Sequence, residues 1–326
     1  MTRRPHAQRG AALLAALLTV ALVTTLAAGA MWQQWRLTEV ESLTRARAQA
    51  QWLLTGALDW ARVILREDAR AAGNGAATDH LAEPWAVPLQ EARLSDFLAA
   101  MPGASRSADD ANLADGVLLS GRIVDAQSRF NLSNLIVDGK PDPQALRTAT
   151  RLFGLLGLPP AELAALVQGL QAAASNTGRD AMPRQWMQLT WFGVSPQTLT
   201  ALAHHATLLP GSTPINVNTA SAEVLAASVP GLNLSQARQL VQERTRHDWK
   251  SLDEFNRSAS SLVSASSHSV DSHFFEVWGQ IRQREQRLLE QSLVQRDGVN
   301  VTVLWRQTVD ATRPGASVFL RPGSLQ

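Results

Sequence analysis

Apolar side chains run almost unbroken from Ala11 to Met31, and no charged residue stands between Arg9 and Arg36. About 20 such residues, rising ~1.5 Å each, cross the ~30 Å hydrocarbon core of a bilayer, and a helix satisfies every backbone polar group there. Arg3, Arg4 and Arg9 precede the run. The positive-inside rule therefore predicts one span, with the N-terminus cytoplasmic and the remaining chain across the membrane. A cleaved secretory signal is the competing reading, with Ala27-Ala28-Gly29-Ala30 as its cleavage site. The apolar run exceeds what such a signal needs, and helix-compatible sequence continues past it.

From Thr38 to Arg70 the apolar positions change to i, i+3, i+4 spacing, as in Val40, Leu43, Leu54, Leu58, Ala61 and Leu65, with charged residues between them. This pattern predicts an amphipathic continuation of the same helix, ~55–60 residues in all, ending at Gly73-Asn74-Gly75. Trp32 and Trp35 suit the membrane interface, whereas Trp52 and Trp60 are expected in a core. Residues 71–116 read as loop with a short helix at Leu94–Ala100, and Gly116–Asp125 as a strand or a tight strand pair.

A helical block follows over 130–256. Helices are expected at Pro143–Phe153, Pro160–Ala172 and Ser195–Leu208, then from Ser221 with Asn218 or Thr219 as its cap, over Ser235–Arg246, and from Ser251. A serine-rich linker spans Ser258–Ser269. Strands are expected at Phe274–Trp278, Leu288–Val294 and Val299–Trp305, the last two joined by an Asp297-Gly298 turn. Strand signals on both sides of a helical block predict an α+β domain: a small antiparallel sheet packed on the long helix, with a helical insertion between its strands.

Composition narrows the chemistry. The 326 residues are 45% hydrophobic, enough for a core outside the membrane segment, and contain no cysteine, which excludes disulfides, thiolate metal sites and cysteine nucleophiles. The net charge is +2, and without Arg3, Arg4 and Arg9 the 30 basic side chains fall just below the 28 acidic ones. Bulk electrostatic attraction to nucleic acid is therefore weak. No Gly-x-Ser-x-Gly, His-Glu-x-x-His or phosphate-loop pattern is present, so no enzyme is expected. His268 and His273 flank Asp271 without a further nearby ligand and read as histidines of a solvated linker, while His204 and His205 point ~100° apart on a helix.

Arg9-Gly10-Ala11-Ala12-Leu13-Leu14 resembles the processing signal of type IV pilins and type II secretion pseudopilins. Two further segments, Asp125-Ala126-Gln127-Ser128-Arg129-Phe130-Asn131-Leu132-Ser133-Asn134-Leu135 and Ile215-Asn216-Val217-Asn218-Thr219-Ala220, are similar to hallmarks of the minor pseudopilin K family. So is the uncharged Ala15 at the fifth mature position, where most pseudopilins carry Glu. The resemblance implies a pilin-like fold, cleavage by prepilin peptidase between Gly10 and Ala11, and methylation of the new N-terminus. It implies structural roles for Asp125, Arg129, Phe130, Asn131, Asn134, Asn216, Asn218, Thr219 and Ala220. It divides the chain into a leader (1–10), a spanning and filament-packing helix (11–35), a pilin-like first part (36–129), the insertion (130–268) and C-terminal strands with a tail (269–326).

The implied partners are the I, J and H minor pseudopilins, the major pseudopilin, prepilin peptidase and the inner-membrane secretion platform. The implied role is a non-enzymatic tip subunit that caps and nucleates the pseudopilus and so supports export of folded proteins. A buried carboxylate needs a partner. A tip subunit has no subunit ahead to supply one, which gives Ala15 its meaning. The family's calcium site is not expected here, because the matching stretch, Leu170–Asn176, has no carboxylate and Asp180 is the nearest. No other cofactor is expected. The alternative function is a membrane-anchored DNA receptor using a helix–hairpin–helix-like unit at 214–256, with Arg238, Arg244 and Arg246. Its hairpin reads Gly231-Leu232-Asn233, without the second glycine.

Overall fold

The structure, a computed structural model, describes residues 9–71, 73, 78–100, 116–175, 182–283 and 286–309. Arg3, Arg4, Asn74, Gly75, Asn176 and Asp180 lie outside them. The chain divides into two units, residues 1–53 and 54–326. Helix α1, Arg9–Ala71, contributes to both and runs 63 residues without a break.

In the first unit, Ala11–Glu41 is long and apolar enough to cross a membrane, and none of it is buried. Its threonines do not interrupt it. The hydroxyls of Thr19, Thr24 and Thr25 return to the carbonyls of Ala16, Ala21 and Leu22 at 2.8–2.9 Å, so they leave no unsatisfied donor on the helix surface. Trp52, expected in a core, is instead 78% exposed. Helical spacing fixes which residues share a face, but not that the face is covered.

In the second unit Leu54, Leu58, Ala61 and Leu65 of α1 are buried, one every three or four residues. Strand β1, Leu89–Arg93, leads into α2, Leu94–Ala100, and then β2, Val117–Asp125. Sequence patterning missed β1: Leu-Gln-Glu-Ala-Arg has no β-branched residue, and its extended form comes from pairing with β2.

The insertion begins at the end of β2. Short strands β3 (Phe130–Asn131), β4 (Ile136–Val137) and β5 (Lys140–Pro141) precede helices α3 (Pro143–Leu155), α4 (Pro160–Ser175) and α5 (Pro196–Leu202). Strands β6 (Ala206–Thr207) and β7 (Ile215–Asn216) lead to α6 (Ala222–Ser228), α7 (Leu234–Arg244), α8 (Leu252–Ala259) and β8 (His268–Ser269). Proline at the first turn and side-chain caps start several of these helices: Asp142 accepts from Ala145 N–H, Ser195 from Thr198 and Ser251 from Glu254. One continuous core includes Phe130, Leu166, Leu202, Val224, Trp249 and Phe255.

Three expectations are corrected here. Helix α5 stops at Leu202 rather than Leu208, because Ala206 and Thr207 leave it to pair in parallel with β3. The cap of α6 is Ser221, not Asn218 or Thr219, whose side chains turn inward to other partners. The serine-rich segment is not a solvated linker at its end. His268 is 1% exposed, pairs in β8 with β7, and shares its ring nitrogens with Ser228 at 3.0 Å and Ser267 at 2.9 Å. Burial pushes its pKa down to about 4, so the imidazole is neutral at pH 7.

The chain then returns to the sheet through β9 (Phe274–Gln283), β10 (Gln286–Asp297) and β11 (Asn300–Val309). All five long strands are antiparallel in the order β1-β2-β9-β10-β11, so strands far apart in sequence, β2 and β9, lie side by side with the insertion between them. Gly121 and Gly279 are partners across that pair. A Cβ on Gly279 would stand 2.7 Å from Leu54 Cδ1, and one on Gly121 would stand 2.7 Å from the Trp278 carbonyl oxygen. The missing side chain at 279 lets α1 settle against the sheet. Arg62 then ties the helix to β11 by two donations to the Val301 carbonyl, at 2.8 and 3.1 Å.

Candidate functional site

The residues singled out in the sequence fall in two places. Gly10, Ala11 and Ala15 lie in the first turns of α1, and Ala15 is exposed there. The others gather where β2 enters the insertion and where β7 and β8 leave it.

Asp125 stands at the centre of this second group, 2% exposed. One carboxylate oxygen accepts from Gln127 N–H at 2.7 Å and so caps the short turn Ala126–Ser128. The other accepts from Thr219 Oγ1 at 2.5 Å, Ser272 Oγ at 2.7 Å and Asn216 Nδ2 at 3.1 Å. Burial pushes its pKa up against these donors, all of which favour the charged form. Asn216 also donates to the Asp79 carbonyl and accepts from Asn218 N–H, while Asn218 exchanges two hydrogen bonds with the backbone of Trp249. Ala220 is fully buried.

A second asparagine pair holds the 209–213 segment. Asn131 accepts from Ser133 and Leu209 N–H and donates to the Gly211 carbonyl and Thr213 Oγ1, which uses its whole capacity. Asn134 accepts from Thr213 N–H and donates to the Thr213 carbonyl. Phe130 anchors the core, and Arg129 reaches Glu276 on β9 at 2.6 Å. Asp125, Arg129 and Asn216 join the insertion to its neighbours, while Asn131, Asn134, Asn218 and Phe130 hold the insertion together internally.

Adjoining this joint is an ionic cluster that sequence reading missed, because its members come from α1, the 79–83 segment and β10. Asp68, Asp79 and Glu83 bring carboxylate oxygens within 4.8 Å of one another. Arg296 occupies the position a cation would take, 2.7 Å from Asp68 and 2.5 Å from Asp79, and its guanidinium lies over the Phe275 ring. Burial works against its charge, but Asp79 and Asp68 outweigh it and raise the Arg296 pKa. Burial raises Asp79 to about 6 against the pull of Arg296, and Glu83 to about 7. Leu170–Ser175, in the stretch where the resemblance would place calcium ligands, carries no carboxylate.

The hairpin at 229–232 is not an open phosphate cradle. Leu232 N–H turns back to the Val229 carbonyl and Asn233 N–H to Gln236 Oε1, while Arg151 of α3 holds the carbonyls of Val229 and Leu232 at 2.9 and 2.8 Å. Arg244 donates inward to the carbonyls of Val217 and Ala220. These contacts leave Arg238 and Arg246 as exposed cations beside Glu243, and the DNA-receptor reading is not supported.

Residues 215–272 match the family model described as type II secretion system protein K. Two curated relatives carry the same description. One from Pseudomonas aeruginosa is 29% identical over 317 residues, covering 89% of each chain. One from Klebsiella pneumoniae is 28% identical, covering 77% of this chain and 79% of its own. The fold is similar to a chain in the crystal structure of the GspK–GspI–GspJ complex of the type 2 secretion system of enterotoxigenic Escherichia coli. That likeness has a TM-score of 0.61 at 21% identity and covers 82% of this chain and 98% of that one. Matched segment, relatives and fold agree with the pseudopilin-like Gly10-Ala11 pattern, and over most of its length this chain is similar to the protein K family of type II secretion.

Proposed function

We propose that this subunit caps the pseudopilus and helps nucleate it together with I- and J-type minor pseudopilins. Support for the partners comes from the related chain being part of a GspK–GspI–GspJ complex. The carrying observation is Ala15, uncharged inside the apolar part of α1. A carboxylate at that depth is stable only when paired, and a cap has no subunit ahead to pair it. The subunit performs no covalent chemistry, and its assembly supports export of folded proteins across the outer membrane. The H-type minor pseudopilin, the major pseudopilin and the inner-membrane platform are its further partners.

Ala15→Glu tests the cap. Secretion of a reporter substrate is expected to fall about tenfold at an unchanged level of the subunit, the effect of an unpaired carboxylate costing about 1–3 kcal/mol in the apolar layer. Secretion at the wild-type rate would remove the reason for a neutral position.

Localisation and processing are tested at the N-terminus. We expect prepilin peptidase to cut after Gly10, leaving one inner-membrane span and a periplasmic domain. Mass spectrometry of the subunit from its native host should give an end at Ala11 carrying a methyl group. Gly10→Val should leave the leader attached. An end near Ala30 would instead identify a secretory signal.

A further inference from the structure

Side chains alternate between the two faces of the sheet, and one face meets α1 through Gly279. The outer face, away from α1, therefore carries Trp278 and Gln280 of β9. Leu289 of β10 is the register partner of Gln280, and Val309 of β11 is the partner of Leu289, so both share that outer face. An antiparallel sheet can leave its second face in water. This one does not, since Trp278 is 4% exposed and Leu289 is 0% exposed.

Among the described residues, the apolar side chains packed on Trp278 and Leu289 are Val124 and Val309, and both belong to the sheet itself. Neighbours within a sheet cover the flanks of a side chain, whereas its top is covered by a second layer. Nearer the insertion, Leu209 provides that layer by packing with Phe274 and Leu293. Leu289 lies four residues further along β10, about 13 Å away from that contact. Residues 310–326, which lie outside the described ones, have the reach and composition to provide the layer there. They follow Val309, which stands on the row of Leu289. Trp278 is two strand spacings from β11, about 10 Å, and eight extended residues reach about 26 Å. Pro314-Gly315 is a turn sequence, and Val318-Phe319-Leu320 are three adjacent apolar residues just beyond it.

We propose that the segment after β11 turns back across the outer face as a strap and seats Val318, Phe319 and Leu320 on Trp278 and Leu289. The sheet is then covered on both faces, by α1 on one and by the strap on the other. Removing the strap would bare a contiguous apolar surface made of Val124, Trp278, Leu289 and Val309.

The chain has no cysteine, so an introduced pair reports proximity directly. The full chain in detergent, carrying Gln280→Cys and Phe319→Cys, is treated with oxidised glutathione. An intrachain disulfide is expected in most molecules, seen as a mobility shift that a reductant reverses. Gln239→Cys, at an exposed position of α7, should form none with Phe319→Cys. In parallel, Phe319→Ala should lower Tm by about 4–8 °C in the wild type and by less than half as much beside Leu289→Ala. Its full effect should persist beside Leu240→Val in the core of the insertion. The disulfide in the first pair alone, or the reduced effect beside Leu289→Ala, supports the strap. No disulfide, together with a Phe319→Ala effect that is absent or independent of Leu289, would overturn it. A disulfide joining two chains, read as a doubled mass, would overturn it as well, by placing a second copy on the face. None of these outcomes bears on whether the subunit caps the filament.

Discussion

Asp125→Ala should destabilise the domain by about 3–5 kcal/mol, the range for removing one partner of a buried charged network. The substitution strips an acceptor from four donors at once: Gln127 N–H, Asn216 Nδ2, Thr219 Oγ1 and Ser272 Oγ. None can turn to water, because Asn216 is fully buried and Gln127, Ser272 and Thr219 are nearly so. Those donors come from the turn just before the insertion, from its interior at 216–219 and from the segment just after it, so the loss falls on its attachment to β2 rather than on its own core. Asp125→Asn keeps the shape and one acceptor oxygen, while the hydroxyls of Thr219 and Ser272 can rotate to accept from its amide. Its cost should be only about 1–2 kcal/mol. Chemical unfolding of the full chain in detergent measures both. Equal, small losses in the two variants would mean that the joint is held by packing alone.

Arg296→Ala should cost about as much, about 3–5 kcal/mol, and should also change how stability depends on pH. The guanidinium pairs with both Asp68 and Asp79, and removing it leaves carboxylates within 4.8 Å of one another and of Glu83 in a buried setting. The folded-state pKa values of Asp79, about 6, and Glu83, about 7, lie above their ordinary values of 3.8 and 4.5. A carboxylate raised in this way binds its proton more tightly when folded. Its contribution is therefore fully present below the unfolded pKa and lost as pH rises through the folded one. The wild-type domain should lose stability from these groups between about pH 4 and pH 7. Without Arg296 the same carboxylates lose the charge that lowers their pKa, so the decline should be steeper and extend to higher pH. Melting curves at pH 5 and pH 8 read this directly: the variant should recover part of its deficit at pH 5. A deficit independent of pH would show that Arg296 acts through its packing on Phe275 instead.

Much of this architecture was legible in local patterning. The unbroken apolar run and its helical continuation predicted α1, and period-two segments with Asp297-Gly298 between them predicted β10 and β11. Proline and serine at helix starts located several helices of the insertion. These signals are local because backbone hydrogen bonds within a helix or across a tight turn join residues near in sequence. Where a long-range partner decided the outcome, patterning failed. Strand β1 exists through β2, α5 ends where β6 meets β3, and His268 is buried because β8 pairs with β7 and Ser228 reaches its ring.

The same division runs through the functional reading. By itself the sequence determined the pilin-like residue pattern around Gly10-Ala11, the spanning length of α1 and the neutral Ala15, since each depends only on residue type along one helix. It also marked Asp125, Asn131 and Asn216 as belonging together, without saying what they do. Only the tertiary structure decided that Asp125 and Asn216 close a buried joint beside the sheet, while Asn131 holds the 209–213 segment of the insertion. It also brought Arg296 between Asp68 and Asp79, and Arg129 onto Glu276. Arg296 lies 228 and 217 positions from Asp68 and Asp79, and burial makes such charges interact strongly only once the fold has removed the water between them.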